Sequence, residues 1–322
     1  MFWRVLSVRS WFLGALLIVG LGAVFYLVLF REAESAITQQ MLRREQVIAR
    51  AGAANVVSFF QVFGNSIAVL AQLSSMERRD AKTVHDLDAF VEQWRGSDLV
   101  GGVALTDRDG LVLLNSNVLG TSDAGASLAD RDYFLWAKNS SEEGKYFVGQ
   151  PVNSRLGTTE GQLIVPVAAP VFQKGEFSGV AVASVKLRPL TERYLNLMKI
   201  SDRTEIYLID SRGKLLYSSV PDAVDLDISE LLGDNVTNAL DTAQEGKLHA
   251  TYVNPKSGKP EDHLIAYSPI FLGGQNKLLI ISSTGQNSAD PTAFQIRQTA
   301  ILILASLTIL LFGIIVAREN KI

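Results

Sequence analysis

The 322-residue chain contains no cysteine, which removes disulfides, thiolate nucleophiles and cysteine metal ligands together. Histidine is almost as scarce. His85, His249 and His263 stand alone, no two at metal-ligand spacing, and all three are expected on the surface. Charge is not concentrated in one sign. The net charge is −3 and the isoelectric point about 5.7, without the basic stripe that nucleic-acid binding needs. No Gly-x-Ser-x-Gly elbow, phosphate loop, dinucleotide fingerprint or His-Glu-x-x-His is present, so no catalysis and no cofactor are expected. Proline is missing from Arg31 to Ser97, a stretch with only three glycines, and nothing there interrupts a helix.

Apolar residues are plentiful, 48% of the total, with a mean hydropathy of +0.18. The excess is local. Trp11–Phe30 is twenty residues without a charge and Thr299–Ala317 nineteen more. At 1.5 Å per residue, each can cross a hydrocarbon layer about 30 Å thick. A buried core helix is the plainer account of such a run, but it would carry a polar stripe, and neither run does. A cleaved signal peptide would have a shorter apolar stretch than the first run. Both are read as transmembrane helices, residues 11–30 and 299–317. Arg4 and Arg9 precede the first; Arg318 and Lys321 follow the second. Basic flanks stay in the cytoplasm, which puts 1–10 and 318–322 inside and 31–298 outside, with Arg31 a mild counter-signal. The chain stops five residues past the second run. It reads either as a fragment of a longer protein or as a complete one acting through a partner.

From Arg31 onward, Ile37, Met41, Ile48, Val56, Phe59, Phe63, Ile67, Leu70 and Leu73 recur mostly at helical spacings, predicting one long amphipathic helix over 33–75. A second helix is expected at His85–Trp94. Beyond Ser97 short β-rich runs begin: Leu99–Thr106, Leu111–Asn115, Lys145–Val148, Leu163–Phe172 and Gly179–Leu187, with a helix at Leu190–Met198. The pattern then repeats. Leu105-Thr-Asp107-Arg-Asp-Gly110 is echoed by Leu208-Ile-Asp210-Ser-Arg-Gly213, Pro170-Val-Phe172 by Pro269-Ile-Phe271, and Gly179–Lys186 by Lys277–Thr284. Three echoes in one order at nearly constant offset predict a tandem repeat of one α+β unit. Each unit is a hairpin, an excursion and three further antiparallel strands, with a helical excursion expected at Asp225–Leu240 in the second.

A long helix followed by two such PAS-like lobes resembles the double Cache sensor domain of bacterial transmembrane receptors. The resemblance covers 33–298 and rests on Leu128-Ala-Asp-Arg131-Asp132-Tyr133-Phe134-Leu-Trp-Ala137, then Tyr146-Phe-Val-Gly149-Gln-Pro151, then Val165-Pro166 to Phe172, then Gly179 to Lys186. It implies an α+β fold of a long N-terminal helix and two antiparallel-sheet lobes, distal at about 98–187 and proximal at about 200–290. It further implies a homodimer packed along the long helix, a two-pass protein of the bacterial inner membrane, and a small-molecule ligand in the distal lobe. The output of such receptors is a histidine kinase, a diguanylate cyclase or a chemoreceptor domain.

Arg131, Tyr133, Phe134, Tyr146, Ser184 and Lys186 are the candidate ligand-binding residues. An arginine can hold a carboxylate by two parallel charge-assisted hydrogen bonds, and Tyr133 offers an aromatic wall with a hydroxyl. The plainer accounts are a surface arginine paired with Asp130 or Asp132, a core tyrosine, and a serine bonded to a backbone carbonyl. Amino-acid-binding relatives place an aspartate where this chain has Ser184, so the resemblance leans towards a small anion or carboxylate over an amino acid. Lys186 lies on the same strand face as Ser184. The rival reading is a periplasmic module that contacts a partner protein without a small ligand.

Overall fold

The computed structural model describes residues 2–199, 204–220, 244–253, 258–273, 276–285, 298–303 and 306. The expected excursion at Asp225–Leu240 and most of the second apolar run lie outside these described residues. The chain divides into two compact bodies, Met1–Arg44 with Gly285–Ile322, and Glu45–Thr284.

Apart from Gly285, the first body is helical where it is described. The described large apolar side chains of its two charge-free runs face outward. Leu17, Leu21, Val24, Phe25, Leu27, Val28, Ile301, Leu302 and Ile303 are each between 51% and 66% exposed.

The second body is built on the continuation of α1 (Phe2–Ala71). By length and composition, its Ser35–Ala71 stretch is apolar enough to cross a membrane, but half of its most apolar window is buried inside the protein, as in a core helix. The helix ends sooner than the expected 75 because Leu73 is extended, with φ −65° and ψ 134°. A separate short helix, α2 (Ser74–Arg78), follows. α3 (Ala81–Arg95) starts four residues before the expected position. Asp80 accepts from the Lys82 and Thr83 amides while the Thr83 hydroxyl accepts from the Asp80 amide. This reciprocal cap satisfies end groups that would otherwise face water. Phe63 of α1 packs edge-on to Trp94 of α3 at 5.0 Å between ring centroids and tilted against Phe90 at 5.8 Å.

Two antiparallel sheets follow. The first contains β1 (Val100–Thr106), β2 (Val112–Asn117), β3 (Phe147–Val148), β4 (Val152–Asn153), β5 (Leu163–Gln173) and β6 (Glu176–Lys186). Its order is β2-β1-β6-β5-β3, and β4 pairs with β5 beside that path. The second contains β7 (Thr204–Asp210), β8 (Leu215–Ser218), β9 (Gly246–Val253), β10 (Pro260–Gly273) and β11 (Asn276–Gly285), in the order β8-β7-β11-β10-β9. The two orders are the same arrangement, so the sequence repeat is a repeat of fold. Its turns agree in detail. Asp107 accepts from the amides of Asp109 and Leu111, and Asp210 from those of Arg212 and Lys214. Gly110 and Gly213 both have positive φ, 87° and 83°, a conformation that glycine adopts without the Cβ cost. A helix, α5 (Leu187–Tyr194), links the lobes, shorter than expected because the chain turns 3₁₀ at Asn196–Met198.

One face of each sheet packs on α1. A continuous core joins Phe59, Phe63 and Ile67 to Val165, Val167 and Ala183 of the first sheet and to Ile206, Leu208 and Ile280 of the second. The opposite face of the first sheet carries a smaller cluster under α4 (Asp132–Asn139), including Ala104, Leu128, Tyr133, Phe134 and Val182.

Candidate ligand-binding site

The outer face of the first sheet holds a cavity of about 40 Å³. Its floor is Gly101–Ala104 of β1 and Val182–Ser184 of β6. Gly102 pairs with Ser184 and Ala104 with Val182. Period-two alternation therefore turns those side chains to one side. The two glycines let the chain above approach. A Cβ on Gly101 would stand 2.1 Å from Thr159 Cγ2 and 2.9 Å from Ser184 Oγ.

The roof comes from two loops, residues 118–131 and 154–161. Asn115 and Asn117 of β2 shape the first loop: the Asn115 side chain donates to Thr121 O and Asp123, and Asn117 Nδ2 donates to Thr121 O. Two ties then join one loop to the other, and a third joins Arg131 to β4. Asp123 Oδ1 accepts from the Gly157 amide at 2.8 Å. Arg155 forks Asp130 at 2.7 and 2.8 Å, and the Arg155 guanidinium beside Asp130 holds its carboxyl below the usual range. Arg131 Nη2 donates to Asn153 O at 3.1 Å.

Arg131, Tyr133 and Ser184 line the cavity, together from loop, helix and strand. Arg131 is the residue immediately before α4. Asp130, one of the two partners in the plainer account of Arg131, is engaged with Arg155 instead. Arg131 Nε is shut off from solvent and has no hydrogen-bond partner. Tyr133 is 5% exposed, and burial pushes its hydroxyl pKa well above that of a free phenol, outweighing the nearby Arg131. The hydroxyl is therefore a standing donor at any physiological pH. Ser184 Oγ lies 3.5 Å from Gly102 O, at the far limit of a hydrogen bond.

The other three candidates lie elsewhere. Phe134 is 1% exposed and packs edge-on to Phe177 at 6.1 Å, a core residue of α4. The Tyr146 ring lies over Gly64 of α1, where a Cβ would come within 2.3 Å of it. Lys186 sends its ammonium to Asp98 at 2.7 Å, which draws it away from the sheet face it shares with Ser184. Sequence reasoning missed Asp123, Asn115, Asn117 and the Gly101-Gly102 pair. The doubled glycine inside an apolar strand was the available signal for the floor.

The second lobe differs at the same register. Glu205 pairs with Ser283 where the first lobe has Gly102 and Ser184. Around them lies His263, which is 3% exposed and not on the surface as expected. Its Nδ1 is 2.8 Å from Ser283 Oγ and 4.0 Å from Glu205, and Tyr207 donates to Glu205 at 2.8 Å. His85 and His249 are exposed. Side chains here take the place that glycine leaves open in the first lobe.

The sequence profile of the Cache domain (dCache) matches residues 31–289. No curated protein matches. Among solved structures, the chain superposes on an extracellular ligand binding receptor from Desulfohalobium retbaense DSM5692 with a TM-score of 0.58 and 15% identity, over 73% of this chain and 39% of that one. On Methyl-accepting Chemotaxis protein X the values are 0.58 and 17%, over 77% and 98%. On the sensory domain of the Campylobacter jejuni chemoreceptor Tlp3 with isoleucine bound they are 0.57 and 15%, over 80% and 97%. This chain thus spans 39% of the first structure's length. At such identities the likeness is one of fold.

Proposed function

The chain belongs to the Cache domain family, and on that premise we propose that it is the sensory part of a transmembrane receptor. The first lobe, distal to the membrane, binds a small extracellular solute bearing a carboxylate, in the cavity roofed by the 118–131 and 154–161 loops. The observation that carries this reading is Arg131: its side chain lines the cavity and its Nε is buried without a partner, and a guanidinium so placed is stabilised by a ligand that accepts from it. Tyr133 and Ser184 add hydroxyls to the same cavity. The two charge-free runs anchor the chain in a bacterial inner membrane with residues 31–298 outside. The outward-facing apolar side chains of the first body support that placement, since water would not favour them. Val47, Val62 and Val69, each more than 60% exposed along α1, support packing against a second copy. Binding stabilises one arrangement of the domain only by its differential affinity, and the shift passes inward to an output domain or a partner.

Thermal melting of the full chain in lipid nanodiscs, with a broad panel of carboxylates, amino acids, amines and purines, tests this. Ligand at about a hundred times its Kd adds roughly 2.7 kcal/mol to the native state. The expected outcome is a raised melting temperature that Arg131→Ala abolishes while the unliganded melt stays close to that of the parent. A hit untouched by the mutation moves the pocket, and no hit at all favours the protein-contact reading.

A further inference from the structure

We propose that the second lobe is an acid-responsive element: protonation of His263, held between Glu205 and Glu261 on the outer face of the second sheet, shifts that face towards a more open arrangement. The site lies in a different lobe from the cavity and needs no ligand.

Strand register assembles it. Glu205 and Tyr207 of β7 pair with Ser283 and Ile281 of β11, and His263 of β10 pairs with Ala250 of β9. Period-two alternation puts Glu261 on the same face as His263. Among the described residues, the titratable groups on this face around the imidazole are Glu205 and Tyr207 from β7, Glu261 from its own strand, and Tyr252, which pairs with Glu261 from β9. Ser283 and Ala250, its immediate neighbours on β11 and β9, do not titrate. Lys247, His249 and Asp262 alternate to the other face.

This geometry suits a neutral ring better than a charged one. A neutral imidazole has one donor and one acceptor nitrogen, and protonation makes both donors. Nδ1 stands 2.8 Å from Ser283 Oγ, a hydroxyl that can take either role. The carboxylates that would meet an imidazolium lie further off, Glu205 at 4.0 Å and Glu261 at 3.8 Å, beyond hydrogen-bond length. A charge buried at such distances from its partners is incompletely compensated. Burial accordingly makes the ring harder to protonate, against the pull of Glu261 and Asp262. An arrangement that exposes the ring binds the proton more readily, so acid favours that arrangement.

The fold permits such a loosening. The apolar cluster on this face, with Tyr207, Ile209, Leu215, Ile265 and Ile281, is separate from the continuous core on α1. β9, which flanks His263, is an edge strand. The outer face can therefore open while the inner face stays packed on α1. Neither of the other histidines, His85 and His249, belongs to the first sheet, so the response is confined to one lobe. On the proposed sensory reading, it gives the receptor a sensitivity to external acidity beside its response to a solute.

Hydrogen exchange of the full chain in nanodiscs, read by mass spectrometry across about pH 7.5 to 5 with times scaled to the intrinsic amide rate, tests this. Peptides covering β9 and residues 260–267 of β10 are expected to exchange faster as the pH falls below about 6.5, by up to about tenfold per pH unit, the limit for one proton. Peptides of β5 and β6 should not change. His263→Gln, which stays neutral throughout, should remove the difference. Glu261→Gln takes away one pull on the proton and should move the midpoint to lower pH. Equal exchange across the range, or a difference that survives in His263→Gln, overturns the proposal. So does a midpoint that Glu261→Gln leaves in place, and that variant carries the test if His263→Gln does not fold. No ligand enters the measurement, so failure here leaves the cavity reading standing, and an empty cavity leaves this one standing.

Discussion

Gly101 sets how close the roof comes to the floor. A methyl there would meet Thr159 Cγ2 at 2.1 Å, and overpacking of this kind costs about 1–3 kcal/mol. Gly101→Ala should therefore lower the melting temperature and abolish ligand binding. Adding Thr159→Ser removes the offending methyl, keeps the hydroxyl that bonds Ser154, and should recover most of the melting temperature. A variant as stable as the parent would show that the loop does not rest on Gly101. His263 is the second residue with a distinct signature. Burial lowers its pKa from the ordinary 6.5, against the opposing pull of Glu261 and Asp262. The unfolded chain then binds the proton more readily than the folded one. Its contribution to stability is complete above about pH 6.5 and declines as pH falls from there towards the lower folded value. The melting temperature should drop between pH 7.5 and 5.5, and His263→Gln should flatten that slope. An equal slope in the variant would assign the effect to other groups. Residue-scale features were the least legible in the sequence. Arg131, Tyr133 and Ser184 were picked out because the stretches around them resemble family motifs, and the structure sets the three around one cavity. Asp123 and Gly157 did not, because they meet across 34 positions and local pattern carries no signal for such a pair. Lys186 shows the opposite limit: alternation fixes the face of a strand but not where a long side chain goes, and Asp98 took it.

Elements were easier to read. The hairpins at Asp107 and Asp210 were visible because an aspartate and a glycine three residues apart dictate the turn chemically. The long helix was visible from its spacing, but its stop was not, since Leu73 and Ser74 carry no breaker. What fastens α1 to the second sheet was also hidden. Glu45 is fully buried in α1 and accepts from Ser282 at 2.5 Å and from Thr284 at 3.0 Å, both on β11. Removing the acceptor strands the buried Ser282 hydroxyl, at a cost of about 1–3 kcal/mol, and leaves Thr284 with a long contact to Thr204 at 3.4 Å. Glu45→Leu should lower stability by about 2 kcal/mol or more in thermal melts, and Glu45→Gln, which keeps one acceptor oxygen, by distinctly less. Equal losses from both would point to the charge and not to the hydroxyl bonds.

At the scale of the whole molecule, the tandem repeat was plain in the sequence because both lobes reuse one turn. Their different outer faces were not, since they turn on Gly102 in one and Glu205 in the other. The absence of cysteine gives a direct route to the proposed homodimer. Val62→Cys and Val69→Cys each introduce a single thiol, one heptad apart on the exposed side of α1. Mild oxidation of membranes should yield a disulfide-linked dimer from both. Arg188→Cys, at an exposed position of α5, should not give one. Monomer from all three would remove α1 as the contact between copies.

The contact of Glu45 with Ser282 and Thr284 lies where the chain enters and leaves the body that holds both sheets. On the proposed sensory reading, that position limits how a stimulus can travel. A slide of α1 by one helical turn, about 5.4 Å, would bring Met41 or Ala49 opposite the two hydroxyls, and neither can accept from them. Ratcheting by a turn is thus unfavourable here. Motions that keep the contact are small tilts and rotations in which helix and strand travel as one lever, with amplitudes below the helical pitch.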